Sequence, residues 1–332
     1  MTRLLATLFT LLVTCATAWA EAPLCRGTDL LAALKTSDPA TYDKVMAEAR
    51  AVPNGQSLFW KIEREGLPPS YLLGTAHVTD PRVNALPPET RTALWDAATV
   101  ALELKELRSH QEVAMAGMRN ARLMVMPPGQ SLWDLIPDED EAAIRGNVNL
   151  PPGTHGSLFG YQPWVVAGML SIPLCEMERK AKGEIILDSR IAQIAGEMNT
   201  PLIGLETVEE QLSVFSAMPL DVQARYLVAV ARLGPRIGDY FETLVALYEQ
   251  RNVVAYMPLV LHTEEVSDDD MKIYAFVEED LLRKRNHRMA ERSANLLAQG
   301  NVFIAVGALH LPGAEGLVEL IRKAGYKVTP LN

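Results

Sequence analysis

Apolar positions change period several times along the chain, and each change marks an element. Leu30, Leu31, Leu34, Tyr42, Val45 and Met46 recur at helical spacing between Thr28 and Arg50, and Pro39 breaks the run because it lacks the amide hydrogen a helix interior needs. The period then shortens to that of strands. Leu58 to Glu63 and Ser70 to Leu73 flank Gly66-Leu67-Pro68-Pro69, the pattern of a β-hairpin. Pro88 to Ala98 reads as a helix, and Thr99 to Leu104 as another apolar strand.

From Ser109 to about Asn199 the residues favour helix, with Pro and Gly clusters at 127–129 and 151–156 acting as loops. Pro201 to Leu205 is strand-like again. Helical spacing returns from Val208 to Gln299, broken at Pro219, Gly234-Pro235 and near Ser267, with one long helix expected over Asp269 to Gln299. The end predicts a strand at Val302 to Val306, a helix at Gly313 to Ala324 and a strand at Lys327 to Thr329. The expected fold is α/β: a mixed β-sheet core built from both chain ends, carrying a large helical insertion at about 107–199 and 207–300. Residues 21–56 form an N-terminal helical segment ahead of the domain at 57–332.

Two segments more than two hundred residues apart match each other: Tyr71-Leu72-Leu73-Gly74-Thr75-Ala76-His77 and Ile304-Ala305-Val306-Gly307-Ala308-Leu309-His310. In each, an apolar strand runs into Gly-x-x-His, where glycine permits a positive φ or a close backbone approach. Two further strands end on a carboxylate, at Ala101-Leu102-Glu103 and Leu202-Ile203-Gly204-Leu205-Glu206. Ligands of open α/β sheets bind at the carboxyl ends of the strands, so two histidines and two glutamates converge on one expected edge. Imidazole and carboxylate together suit zinc, manganese or iron, with His77, His310 and Glu103 as ligands and a spare glutamate, Glu206, as a general base. The plainer alternatives are hydrogen-bonded structural histidines and a Glu103–Lys105 pair. His110, His155, His262 and His287 have no partner at metal-ligand spacing and read as surface residues. No Gly-x-Ser-x-Gly, phosphate loop, Cys-x-x-Cys or His-Glu-x-x-His occurs, which removes the usual serine hydrolase, nucleotide, thioredoxin and zincin signatures.

The paired Gly74-Thr75-Ala76-His77 and Gly307-Ala308-Leu309-His310 motifs, with Gly204-Leu205-Glu206-Thr207 and the Leu281 to Asn286 stretch, resemble the TraB and GumN family, which includes Tiki-type metal-dependent proteases. The resemblance runs from about Leu58 to the C-terminus. It implies a divalent ion, shifting the expectation toward manganese or cobalt beside zinc, and an α/β core shared with EreA-type erythromycin esterases and ChaN-like haem-uptake proteins. It also implies that Arg285 and Asn286 face the site, the guanidinium holding a carboxylate or an oxyanion, and gives Asp188 a similar claim. Read from the residues alone, Arg285 and Asn286 belong to an exposed basic helix face and Asp188 is a helix-surface acid.

The chain begins Met1-Thr2-Arg3, continues with an apolar run from Leu4 to Val13 and reaches Ala18-Trp19-Ala20. This is the pattern of a secretory signal peptide over residues 1–20, cleaved before Glu21; lipid attachment at Cys15 is the competing reading. No later apolar run is long enough for a membrane anchor, so a periplasmic or secreted protein is expected. The formal charge of −10, with no basic stripe, argues against nucleic acid as a partner. Cys25 and Cys175 remain after cleavage, and an even pair in an oxidising compartment suggests a disulfide, the alternative being two buried thiols. Two functions fit: an exported metal-dependent hydrolase, acting on peptides or a small molecule, and a periplasmic protein that binds a metal or metal complex without turnover.

Overall fold

Among the described residues, short apolar runs containing β-branched and aromatic side chains give six strands: β1 (Phe59–Glu63), β2 (Ser70–Thr75), β3 (Thr99–Leu102), β4 (Leu202–Gly204), β5 (Val302–Gly307) and β6 (Lys327–Leu331). The computed structural model describes Cys25, residues 27–147, Leu150 and residues 156–331. The expected signal peptide, its cleavage site, Cys15 and His155 lie outside the described residues.

The strands form one mixed sheet in the order β4-β3-β5-β2-β1-β6. β4, β3, β5 and β2 run parallel, while β1 pairs antiparallel with both β2 and β6. The hairpin at Gly66–Pro69 is therefore present, and the two chain ends meet as neighbouring strands at one side of the sheet. β5, near the middle, is apolar at every position because both faces are covered. Its Val302, Ile304 and Val306 pack with Trp60, Leu72, Met289 and Leu317 on one face, and its Phe303 and Ala305 with Leu94, Leu102, Leu187 and Ile191 on the other.

The helices between β3 and β4, and between β4 and β5, form the expected insertion and carry a core of their own around Leu132, Leu158, Val166, Leu170 and Leu227. Pro39 splits the N-terminal segment into Leu30–Ser37 and Pro39–Ala51, with Asp29 and Asp38 capping the two helices. These pack on Leu247, Val254 and Leu259 of the insertion, and the Cys25–Cys175 disulfide bonds the segment to it covalently. The long helix expected over Asp269 to Gln299 is interrupted. A π-helical stretch, Val277–Arg283, lies between Asp268–Phe276 and Lys284–Leu297. Its wider turn changes the phase of the helix immediately before Arg285. Among the described residues no helix is long and apolar enough to cross a membrane.

Candidate active site at the strand ends

Parallel pairing sets the site. β5 lies between β2 and β3, with Thr75 opposite Gly307 and Leu102 opposite Ala305, so the residues just past three neighbouring strands are His77, His310 and Glu103. The pairing of β3 with β4 runs on past the strands, Leu205 N–H donating to Leu102 O and Glu206 N–H to Glu103 O, which puts the two glutamates side by side.

Neither motif glycine has a positive φ; both are required by close approach. A Cβ on Gly74 would lie 2.9 Å from Ala308 Cα, where the turn after β5 crosses β2. A Cβ on Gly307 would lie 3.2 Å from Glu103 Oε1, 3.5 Å from His310 Cδ2 and 3.9 Å from His77 Nε2. All three predicted ligands thus border one small volume that a side chain at position 307 would fill.

Each histidine has its Nδ1 fixed from behind. His310 Nδ1 is 2.7 Å from Asn286 Oδ1, and Asn286 Nδ2 donates to Glu315 O, which sets the amide so that Oδ1 can only accept. His310 therefore carries its proton on Nδ1 and presents Nε2, 3.7 Å from Glu103 Oε1. His77 Nδ1 is 3.2 Å from Asp188 Oδ2, and Asp188 Oδ1 accepts from Thr75 Oγ1. The Asp188 carboxylate holds His77 up, to about 9. Burial pulls His310 down, to about 4. Burial also acts to raise Glu103, but the histidines, Arg285 and the Gly307 N–H outweigh it and hold that carboxyl at about 2.

The second carboxylate is fully buried and clamped. Arg285 donates to Glu206 through Nε and Nη2 and, through the same Nη2, to Glu103 Oε2 at 2.7 Å, while its Nη1 turns back to Leu281 O. Arg288 also reaches Glu206. Glu206 is accordingly the counter-charge of Arg285, and Arg285 points every arm at the protein.

Three readings made from the residues alone are corrected. Arg285 and Asn286 are buried and face the site, because the Lys284–Leu297 helix turns Arg285, Asn286 and Met289 inward. Asp188 is buried, because the Leu187–Glu197 helix lays it along the face that packs on the sheet. Glu103 pairs with Arg285 and Gly307, not Lys105. His262 and His287 are exposed and pair, among the described residues, with Glu48 and Glu315 respectively.

Gln211 was not anticipated. It stands in the first turn of the Val208–Ser216 helix, and its Nε2 is 2.9 Å from Glu103 Oε2 and 3.1 Å from Glu206 Oε2. A polar residue just after the Thr207–Glu210 capping box is the sole trace of this in the sequence.

Among the described residues no three His, Cys, Asp or Glu side chains are drawn close enough to enclose an ion. The chemistry of the donors nevertheless fits one. Metal-bound histidines characteristically donate their second ring N–H to a carboxylate or carbonyl, which is the arrangement of His77 with Asp188 and His310 with Asn286.

The TraB/PrgY/gumN family profile matches residues 58–330. Metalloprotease TIKI1 of Danio rerio is 26% identical over 315 residues, covering 82% of this chain and 62% of that protein. Metalloprotease TIKI2 of Xenopus tropicalis is 25% identical over 319 residues, with 82% and 59% covered, and human Metalloprotease TIKI1 is 24% identical over 318, with 82% and 61% covered. The chain thus spans less than two thirds of the length of these relatives. No solved structure gives a significant match. With the two Gly-x-x-His motifs at its centre and the family profile matched from β1 to β6, the chain belongs to the TraB/PrgY/gumN family.

Proposed function

We propose that this protein is an exported metal-dependent hydrolase that cuts peptide bonds, with His77, His310 and Glu103 holding a divalent ion, manganese, cobalt or zinc. The observation that carries the reading is the convergence of those three side chains on the space above Gly307, with His77 open to solvent on one side. When bound there, a divalent ion would supply Lewis-acid chemistry, polarising a carbonyl and lowering the pKa of water. The protein's own groups supply the rest. Asp188 and Asn286 fix both imidazoles with Nε2 forward, and Arg285 balances the charge of two adjacent carboxylates. The relatives named metalloproteases support peptide bonds as the substrate class. The Cys25–Cys175 disulfide and the leader-like residues 1–20 support an oxidising, extracytoplasmic location. The exposure of His77 favours turnover over storage, since a substrate needs access that a closed binding site does not give.

Elemental analysis of protein purified without chelator should find manganese, cobalt or zinc in the wild type and none in the His77→Ala, His310→Ala double variant. The wild type should cleave members of a peptide mixture, followed by mass spectrometry, and chelation or Glu103→Gln should stop it. Metal retained by the double variant would refute the ligand set; a loaded protein that cuts nothing would refute the hydrolase.

A further inference from the structure

Two carboxylates on adjacent parallel strands repel each other, and Glu103 and Glu206 are both buried with their Oε2 atoms turned toward the same donors. One of those donors is Arg285 Nη2; the other is neutral. We infer that Gln211 is a positioning residue for the metal-holding carboxylate: its amide spans the Glu103–Glu206 pair and keeps Glu103 Oε1 turned toward the histidines. This rests on the proposed ligand role of Glu103.

Glu103 has two ends. Oε1 accepts from the Gly307 N–H at 2.7 Å and faces His310, while Oε2 accepts from Arg285 at 2.7 Å and Gln211 at 2.9 Å. Rotating the carboxylate out of this plane breaks the contacts at both ends together, so the donors on Oε2 fix where Oε1 points. Arg285 alone does so poorly. It meets Glu206 by two of its nitrogens and Glu103 by one, so its geometry follows Glu206. Gln211 supplies Glu103 with a second donor from another direction. Its two amide hydrogens match two acceptors, and it adds no charge that would compete with a cation. The amide is delivered by the turn after β4. Thr207 and Glu210 close a capping box, and Arg292 grips Glu210 and Leu205 O, so the first helical turn carrying Gln211 is fixed against the Lys284–Leu297 helix. An ordinary helix-surface glutamine at this place would face solvent. Gln211 is half-buried and turns inward.

The test is manganese titration of the purified full-length protein by calorimetry, with thermal unfolding of the metal-free protein in parallel. Gln211→Met keeps the volume and removes both donors; its manganese affinity should fall about 10- to 100-fold, the range for partners of metal ligands. Gln211→Asn keeps the amide one methylene short and should fall between the two. Asp38→Ala removes the N-cap of the Pro39–Ala51 helix, which packs on Leu247, Val254 and Leu259 and touches neither Gln211 nor the two glutamates; it should lower the unfolding temperature while leaving affinity within about twofold. If Gln211→Met and Gln211→Asn bind manganese as the wild type does, or lower the unfolding temperature as Asp38→Ala does with affinity kept within about twofold, the inference is overturned and the ligand set stands. If the wild type itself takes up no manganese, cobalt or zinc, the inference falls together with the proposed function.

Discussion

After Gly74 the chain stays extended for one more ladder position and His77 ends with 54% of its side chain exposed; after Gly307 it bends at once into a tight turn, and His310 is left 6% exposed. The two segments share a pattern and run parallel, yet Thr75, not Gly74, lies opposite Gly307, so the motifs are staggered by one residue. One histidine has a carboxylate behind it, the other an amide. The first is pushed toward the charged form and the second toward the neutral form. Repetition in the sequence therefore delivers two like imidazoles, while the partners brought by distant helices decide which proton each holds.

The staple favours one half. Glu176 follows Cys175 and grips Thr79 through its N–H and hydroxyl, at 2.7 Å each, two residues beyond His77; His310 is held instead by Asn286. Reducing the Cys25–Cys175 bond, which closes a span of 150 residues, should cost about 2–5 kcal/mol of stability in denaturant titrations. More tellingly, amide exchange should accelerate over residues 76–80 and stay slow over 307–311. Equal acceleration in both segments would mean that the bond supports the whole fold alike.

Protonation separates the halves next. Between pH 6.5 and about 4 the unfolded chain protonates His310 while the folded chain resists, so stability falls as pH falls, by at most about 3 kcal/mol from this residue. His77 has the opposite sign. Its raised value adds stability that is complete below pH 6.5 and disappears as pH rises toward about 9, and solvent around the ring keeps this effect the smaller. For the metal-free protein, His310→Gln should flatten the acid limb of the stability curve and His77→Gln the alkaline limb. Both variants flattening the same limb would show that the partners do not divide the protons this way.

Much of this arrangement is legible in the chain. β2 and β5 announce themselves as apolar runs ending in glycine, and the sheet follows because both faces of β5 demand cover. Asp188 was legible too: it stands three, four and seven residues before Ile191, Ala192 and Ala195, on the apolar stripe of its helix. Arg285 similarly leads Met289 at a spacing of four. A charge on an apolar stripe signals a buried partner, and judging these residues by charge alone hid it. Gln211 and the π-helical turn before Arg285 have no such local mark. Both depend on how the segment after β4 meets a helix some eighty residues later, which no periodicity records.

The glycines give the finest contrast, since the same substitution should strike the fold at one and the site at the other. Gly74→Ala drives a methyl to 2.9 Å from the Ala308 backbone and 3.1 Å from Leu311 Cδ2, in the middle of the sheet where neither side can yield freely. A loss of about 1–3 kcal/mol is expected, seen as a lower unfolding midpoint. Gly307→Ala meets first the tip of a side chain, Glu103 Oε1 at 3.2 Å, and its backbone φ of −51° suits alanine. Stability should change by less than about 1 kcal/mol, while manganese affinity falls because the methyl occupies the space between the three proposed ligands. If Gly307→Ala binds manganese unchanged, that space is not where the ion sits. If Gly74→Ala instead loses affinity at full stability, the strand crossing at Ala308 belongs to the site rather than to the frame around it.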